Sequence, residues 1–113
     1  MSEINELQEK IKDFADRREW RVFHTPKNLV MALSGEIGEL TAEFQWLTPE
    51  ESFNLENDKK NSVSMEIADV AIYLLRLCAI LEIDLNHSIL TKVAINEKRF
   101  PEIREKQTKE ISN

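Results

Sequence analysis

One long apolar segment, residues 63–81, limits the folds that are open to this chain. Its hydrophobic residues recur at helical spacing and cover most of the helix circumference, and only Glu66, Asp69 and Arg76 carry charge. A helix that is apolar nearly all round is enclosed by neighbouring helices. The three charges make a membrane span a poor interpretation. The segment therefore predicts the central helix of a bundle, over about residues 59–82.

Three further segments have the apolar spacing of amphipathic helices, at about residues 2–18, 25–47 and 85–99. Side chains suited to an N-cap stand at their starts, and these are Ser2, Thr25 followed by Pro26, and Asp84. The four predicted helices are joined by short connections, which favours an α-helical bundle.

The connections carry their own signals. Thr48 and Pro49 repeat the helix-start pattern and predict a short helical turn. Residues 20–24 and the polar residues 54–62 are expected to be loops, the second of them mobile. Two Gly and three Pro in 113 residues disfavour a loop-rich or all-β protein. We therefore predict an all-α fold, a four-helix bundle in one domain over residues 1–113, with residues 102–113 as a charged, frayed tail.

Helical spacing also predicts the core. On the second helix the expected buried stripe contains Leu29, Leu33, Ile37, Leu40, Phe44 and Leu47. On the central helix it contains Val63, Ile67, Val70, Ala71, Leu74, Leu77, Cys78 and Leu81. Gly35 and Gly38 lower helix stability by up to about 1 kcal/mol each relative to Ala. Close packing of another group against these glycines would explain why they are tolerated.

Charge and cysteine content exclude several classes of protein. The net charge of −6 disfavours nonspecific binding to DNA, RNA or an anionic membrane. The single Cys78 cannot form a disulfide within the chain, and there are too few thiols and histidines for a zinc cluster. The N-terminus lacks the basic and then apolar order of a signal peptide. A cytoplasmic location is the prediction.

Two acidic pairs interrupt the apolar helices. Glu36 and Glu39, and again Glu66 and Asp69, are spaced i and i+3, so each pair lies on one helix face. If the two helices pack side by side, four carboxylates converge, and such groups either take up protons or hold a cation. Ligation by oxygen alone suits Mg²⁺, with Mn²⁺ as a second choice. Neither pair has the His of a Glu-x-x-His di-iron motif, which makes that alternative weak.

The simpler interpretation is that these acids are ordinary surface residues of a helical oligomerisation module. Acids at the border of the apolar stripe on both helices weigh against it, because a plain module has no need for them. The aromatic residues Trp20, Trp46 and Tyr73 have a similar alternative as core residues. Trp20 falls in a predicted loop, Trp46 lies off the apolar stripe, and Tyr73 aligns with the acids of the central helix.

The two acidic pairs are separated by 26 residues, and the sequence around them resembles a known family. The stretches that carry the resemblance are residues 18–20, 23–29, 36–40, 44–46, 66–74 and 92–101. Together they look like the MazG-like all-α nucleoside triphosphate pyrophosphatases, and most of all like the dCTP pyrophosphatase branch of that family. The similarity covers roughly residues 5–101, which is nearly the whole chain.

The resemblance implies a homo-oligomer, a dimer or tetramer, that cleaves nucleoside triphosphates between the α and β phosphates. It implies Mg²⁺ ligands at Glu36, Glu39, Glu66 and Asp69. Among these, Glu39 is our choice for the group that accepts the proton of the attacking water, with Glu36 as the second catalytic carboxylate. Six further positions are implied to contact the nucleotide, and these are Trp20, His24, Trp46, Tyr73, Lys92 and Asn96.

The expected substrate is dCTP or a related deoxynucleotide. A Tyr73 ring beneath the sugar would disfavour a ribose 2′-hydroxyl, whereas the base stays open because relatives act on other deoxynucleotides. The expected physiological role is removal of unwanted nucleotides from the pool. The alternative is a protein of the same fold that does not hydrolyse nucleotides and acts as a nucleotide-binding or regulatory bundle.

Overall fold

The computed structural model describes residues 2–103, and its elements are helical. They are α1 (Glu3–Asp16), a 3₁₀ helix (Trp20–Phe23), α2 (Pro26–Phe44), α3 (Pro49–Ser52), α4 (Asn57–Ile80) and α5 (Leu85–Arg99). No strand occurs in residues 2–103. The all-α class and the four long helices predicted from the sequence are confirmed.

Helices α1, α2 and α5 begin where the capping residues indicated. The hydroxyl of Ser2 accepts a hydrogen bond from the backbone N–H of Asn5, and the hydroxyl of Thr25 accepts one from Asn28, both at 3.2 Å. The carboxylate of Asp84 does the same for α5. Each bond satisfies a backbone donor that the first turn leaves without a helical partner.

Helix α3 is a single turn, as expected from its start signal. Thr48 and Glu51 form a capping box, in which each side chain bonds to the backbone N–H of the other. The hydrogen bond that the Glu51 carboxylate accepts from the backbone N–H of Thr48 lowers the pKa of Glu51, because it favours the charged form.

Residues Met1–Glu82 form one compact unit, in which α2 and α4 pack along their length. Contacts at three levels show that the two helices run antiparallel. His24, just before α2, meets Arg76 near the end of α4, and Glu36 lies beside Glu66 at mid-length. Near the opposite end Glu43 forms an ion pair with Lys59 at 2.7 Å. The two acidic pairs are therefore brought together in the middle of this helix pair.

Helix α1 packs against α4 within the same unit. The side-chain amide of Gln8 donates a hydrogen bond to the backbone carbonyl of Leu75 at 3.1 Å. Ala15 is almost fully buried, as is Leu29 of α2. The remaining apolar core residues of the described chain are Val63, Leu75 and Cys78. Burial also raises the pKa of the Cys78 thiol, which is consistent with the structural role expected for it.

The second unit, Ile83–Asn113, contains α5. Lys98 and Arg99 stand in its last turn, where cations interact favourably with the helix dipole. The predicted tail lies outside the described residues from position 104 onward. The single domain over residues 1–113 stays a prediction.

Part of the predicted core is wrong for this chain on its own. Five residues assigned to the buried stripes are exposed, and these are Ile37, Ile67, Ala71, Leu74 and Leu81. Leu75, which was not assigned to a stripe, is buried instead. Spacing tells which residues share a face of a helix, but the angle at which α1 and α2 meet α4 decides which face is covered.

Some boundaries also differ from the prediction. Helix α4 begins at Asn57, so most of the expected mobile loop at residues 54–62 is helical. The ion pair between Lys59 and Glu43 joins that first turn to α2. Residues Trp20–Phe23 form a 3₁₀ helix where a loop was expected. A Cβ at Gly35 or Gly38 would meet nothing within 4 Å, so the described residues do not provide the close packing expected there.

Candidate functional site

Three of the four predicted metal ligands converge between α2 and α4. Glu36, Glu39 and Glu66 each place a carboxylate oxygen within 4.8 Å of the other two. Glu36 and Glu66 are half-buried, and Glu39 lies at the exposed edge. Because i and i+3 positions share a face, α2 contributes two of these groups and α4 supplies the third across the helix contact.

The electrostatics of this acidic cluster are unfavourable without a counterion. Oε2 of Glu36 and Oε2 of Glu66 are buried and have no hydrogen-bond partner in the part of the chain that the structure describes. Loss of solvation raises the pKa of Glu36, and the charges of Glu39 and Asp69 add to the effect. Loss of solvation also raises the pKa of Glu66, with a further contribution from Glu39.

This donor set fits a hard divalent cation. Carboxylate oxygens are the ligands that Mg²⁺ and Mn²⁺ accept, and Mg²⁺ is commonly held by one or two carboxylates while substrate phosphates and waters complete its shell. A cation at the acidic cluster would neutralise the repulsion and give the two orphaned oxygens a partner. Glu36, Glu39 and Glu66 could therefore bind a metal ion.

Asp69 is one turn beyond Glu66 on α4 and is exposed. Its carboxylate is outside the 4.8 Å group, so the structure does not bring all four predicted ligands together. Its charge nevertheless raises the pKa of both Glu36 and Glu66, which places it close to them. The role of Asp69 as a ligand stays a prediction.

The raised pKa values predict how the stability of the metal-free protein depends on pH. The pKa values of Glu36 and Glu66 are higher in the folded protein than in the unfolded chain, so between the two values the folded protein binds more protons. We therefore expect the free energy of unfolding to be highest below the unfolded pKa and to fall as pH rises through the folded values. Urea unfolding in EDTA at about pH 5 and about pH 8 measures this slope.

The variant Glu66→Gln provides the comparison, because it removes one of the repelling charges. Glu51, whose pKa is lowered, contributes the opposite slope in both proteins and cancels in the difference. The parent should lose more stability than the variant over this pH range. If the free energy of unfolding changes equally with pH in the two proteins, the Glu66 carboxylate is not destabilised by its neighbours.

The predicted aromatic residues occupy different positions. Trp20, on the 3₁₀ helix, makes an edge-to-face contact with His24 at 6.2 Å between ring centroids. Tyr73 is half-buried on α4, on the line of Glu66 and Asp69. Trp46 follows α2 and is 87% exposed. The structure thus brings Trp20 and His24 together and leaves Trp46 in the open, so their contacts with a nucleotide stay predictions.

Arg76 is a residue whose importance sequence reasoning missed. It is buried on α4, where its Nε donates a hydrogen bond to Nδ1 of His24 at 3.2 Å. Its spacing could have drawn attention to it, since positions 66, 69, 73 and 76 follow one line along a helix. The sequence offered no sign of the His24 contact, because the two residues are 52 positions apart.

Lys92 and Asn96 lie on α5, in the second unit. Lys92 is exposed and Asn96 is half-buried. They are one turn apart on that helix, and their expected contacts with the nucleotide stay predictions.

None of the helices in residues 2–103 is both long enough and apolar enough to cross a membrane.

The chain is similar to dCTP pyrophosphatase 1 of Homo sapiens, with 37% identity over 100 residues, and to that of Bos taurus, with 35%. Each match covers 87% of this chain and 59% of the relative, so the chain spans less than two thirds of the length of these proteins.

A solved structure gives a second comparison. The crystal structure of a pyrophosphatase from Archaeoglobus fulgidus DSM 4304 matches with a TM-score of 0.84 and 39% identity, covering 90% of this chain and 95% of that one. A profile of the MazG-like family matches residues 31–113, which include both acidic pairs. The resemblance noted in the sequence is therefore confirmed, and the chain belongs to the MazG-like family.

Proposed function

We propose that this protein is a Mg²⁺-dependent nucleoside triphosphate pyrophosphohydrolase. It would add water across the bond between the α and β phosphates and release a nucleoside monophosphate and pyrophosphate. The observation that carries the proposal is the acidic cluster, in which Glu36, Glu39 and Glu66 converge and two buried oxygens have no partner. A protein that only binds nucleotides has little need for converging acids, because they repel the phosphates.

The metal belongs to this proposal. Glu36, Glu39 and Glu66 would hold it, with Asp69 as the fourth ligand. Mg²⁺, or Mn²⁺ in its place, would neutralise the triphosphate, orient it and lower the pKa of a bound water. The names of the relatives support a phosphate substrate, since the human protein is a dCTP pyrophosphatase and the Archaeoglobus protein a pyrophosphatase.

Among the carboxylates of this chain, Glu39 is suited to accept a proton. It is exposed at the edge of the acidic cluster, so water reaches it, whereas Glu36 and Glu66 each have a buried oxygen. We propose that Glu39 takes the proton of the attacking water and that Glu36 is the second catalytic carboxylate, which would help to hold the metal ion beside it. General-base help of this kind contributes roughly 10²–10⁴-fold to the rate.

The nucleoside would be held by the aromatic residues. Trp20, His24, Trp46 and Tyr73 are proposed to surround the base and sugar, and stacking on an aromatic ring contributes about 1–3 kcal/mol per base in single-stranded nucleic-acid sites. Lys92 and Asn96 are proposed to approach the phosphates or the base. The proposed substrate is dCTP or a related deoxynucleotide, and the proposed role is removal of unwanted nucleotides from the pool.

Product analysis tests the reaction. With Mg²⁺ present, we expect the protein to convert dCTP and its close relatives to the monophosphate and pyrophosphate. Each deoxynucleoside and ribonucleoside triphosphate is tested in turn, and ion-exchange chromatography separates the products. Deoxynucleotides should be hydrolysed faster than their ribose counterparts. Release of a diphosphate and inorganic phosphate would contradict the proposed bond cleavage. Nucleotide binding without any turnover would favour the silent regulatory bundle.

A homo-oligomer is also proposed, as a dimer or tetramer. Large apolar side chains of the central helix pair are exposed in the single chain, among them Met31, Ile37, Met65 and Ile67, each 47% or more exposed. A second copy packed against these faces would remove them from water, which is the usual reason for such patches. Sedimentation velocity should give a species larger than one chain of 13.2 kDa. A monomer at all concentrations would contradict this.

The cytoplasmic location stays a prediction from the sequence.

A further inference from the structure

A cleft of about 540 Å³ opens beside the last turns of α4, bounded by α1, the 3₁₀ helix and the start of α2. Cavities of this size take small-molecule ligands. Its lining includes Arg76, His24, Arg21 and Lys12, but none of the acids of the acidic cluster. Arg76 is seven positions beyond Asp69 on α4, which corresponds to about 10 Å along the helix axis. The cleft is therefore distinct from the acidic cluster.

Arg76 is the unusual residue of this cleft. It is only 5% exposed, yet it forms no ion pair within residues 2–103. A buried charge without a counterion carries a large desolvation cost. Its Nε donates to His24, whereas its terminal nitrogens make no hydrogen bond to the described residues. Arg76 lines the cleft, so these N–H groups are available to a molecule bound there.

His24 orients Arg76 without neutralising it. Burial lowers the pKa of His24, and the charge of Arg76 lowers it further, so the imidazole is neutral near pH 7. A neutral Nδ1 can accept the Nε–H of Arg76, as the 3.2 Å contact requires. The hydrogen bond fixes the plane of the guanidinium, and no carboxylate in residues 2–103 forms an ion pair with it.

The charges around the mouth of the cleft favour an anion. Lys12 forms an ion pair with Asp16 at 3.3 Å. The other charged residues that line the cleft are two cations, Arg21 and Arg76, and one acid, Glu82. With Nε engaged, the guanidinium of Arg76 presents its two terminal N–H groups side by side. That fork matches two oxygens of one phosphate group.

We propose that this cleft is a second ligand site, in which Arg76 binds a phosphate group of a small molecule through its two terminal nitrogens. Arg21 assists from the exposed edge, and His24 holds the guanidinium in position. The inference shares His24 with the proposed nucleoside contacts, but it uses neither the acidic cluster nor a metal and so does not depend on the proposed hydrolysis.

Calorimetric titration of the full chain with inorganic phosphate in EDTA tests the proposal. Without a divalent metal the acidic cluster repels phosphate, so the binding heat reports on the cleft. We expect saturable binding at constant ionic strength, weakened at least about tenfold in Arg76→Gln, since one or two charge-assisted hydrogen bonds are lost. Pyrophosphate and dCMP, titrated in parallel, show whether free phosphate, pyrophosphate or a nucleotide is the preferred source of the group.

Arg17→Gln is the matched control, because Arg17 is exposed and does not line the cleft, and binding should not change. Absence of phosphate binding in the parent, or equal binding in Arg76→Gln, would overturn the proposal. So would an Arg76→Gln variant that binds phosphate normally but loses self-association, since Arg76 would then pair with a carboxylate of a second copy. If Arg76→Gln does not fold, the variant Arg21→Glu, which reverses a charge at an exposed position, is titrated instead. Phosphate binding equal to that of the parent would then also overturn the proposal.

Discussion

Replacing Glu39 with glutamine is expected to lower kcat for triphosphate hydrolysis by roughly 10²–10⁴-fold. The substitution keeps the size of the side chain but removes the group proposed to accept the proton of water, and it removes one of three converging carboxylates. The fold should survive, because Glu39 is exposed and its charge raises the pKa of Glu36 and Glu66. Steady-state kinetics with dCTP and circular dichroism of the same samples measure the two effects.

Glu43→Gln is the control for this experiment. Glu43 lies one turn further along α2 and carries the same charge, but it is paired with Lys59 at 2.7 Å and lies outside the acidic cluster. Loss of that ion pair should cost little stability and leave kcat within a few-fold of the parent. Equal rates for Glu39→Gln and the parent would remove Glu39 from the mechanism. Equal losses in both variants would indicate a general charge effect instead of a catalytic one.

Removal of divalent metal is expected to abolish hydrolysis and to destabilise the fold at neutral pH. Cation binding relieves the repulsion among Glu36, Glu39 and Glu66, so Mg²⁺ should stabilise the folded chain by about 2.7 kcal/mol at a concentration one hundred times its dissociation constant. For a chain of this length that corresponds to a rise in Tm of roughly 10 °C. Thermal unfolding with added MgCl₂ or MnCl₂, and activity before and after EDTA, provide the measurements.

Two controls separate specific metal binding from ionic strength. KCl at matched ionic strength should leave Tm nearly unchanged, and the stabilisation by Mg²⁺ should be much smaller in Glu66→Gln, which lacks one of the converging carboxylates. Full activity in excess EDTA would refute the metal-dependent mechanism. An equal Mg²⁺ effect on the parent and on Glu66→Gln would place the metal elsewhere on the protein.

Metal ions and protons both relieve the repulsion among the carboxylates of the acidic cluster. Protons below the raised pKa values of Glu36 and Glu66 reduce the repulsion, and a divalent cation does so at neutral pH. The two effects should therefore compete, with Mg²⁺ stabilising the fold less at acidic pH. The buried, unpartnered oxygens of these two residues are the reason for this coupling.

The sequence alone determined the local features. Caps at Ser2, Thr25, Thr48 and Asp84 act within one helical turn, so the residues that form them are neighbours in sequence and can be read from it. The i, i+3 spacing of the acids fixed which carboxylates share a helix face. The all-α class followed from the same periodicity, and the family from the motifs around the acids.

Only the tertiary structure decided how these faces meet. It placed Glu66 against Glu36 and Glu39 but left Asp69 outside that group, and it joined Arg76 to His24 across 52 positions. Residues such as Ile67, which spacing assigned to the core, are exposed in the single chain. The reason is geometric: helical periodicity sets the angle between side chains on one helix, whereas the rotation and offset between two packed helices depend on contacts between residues far apart in sequence.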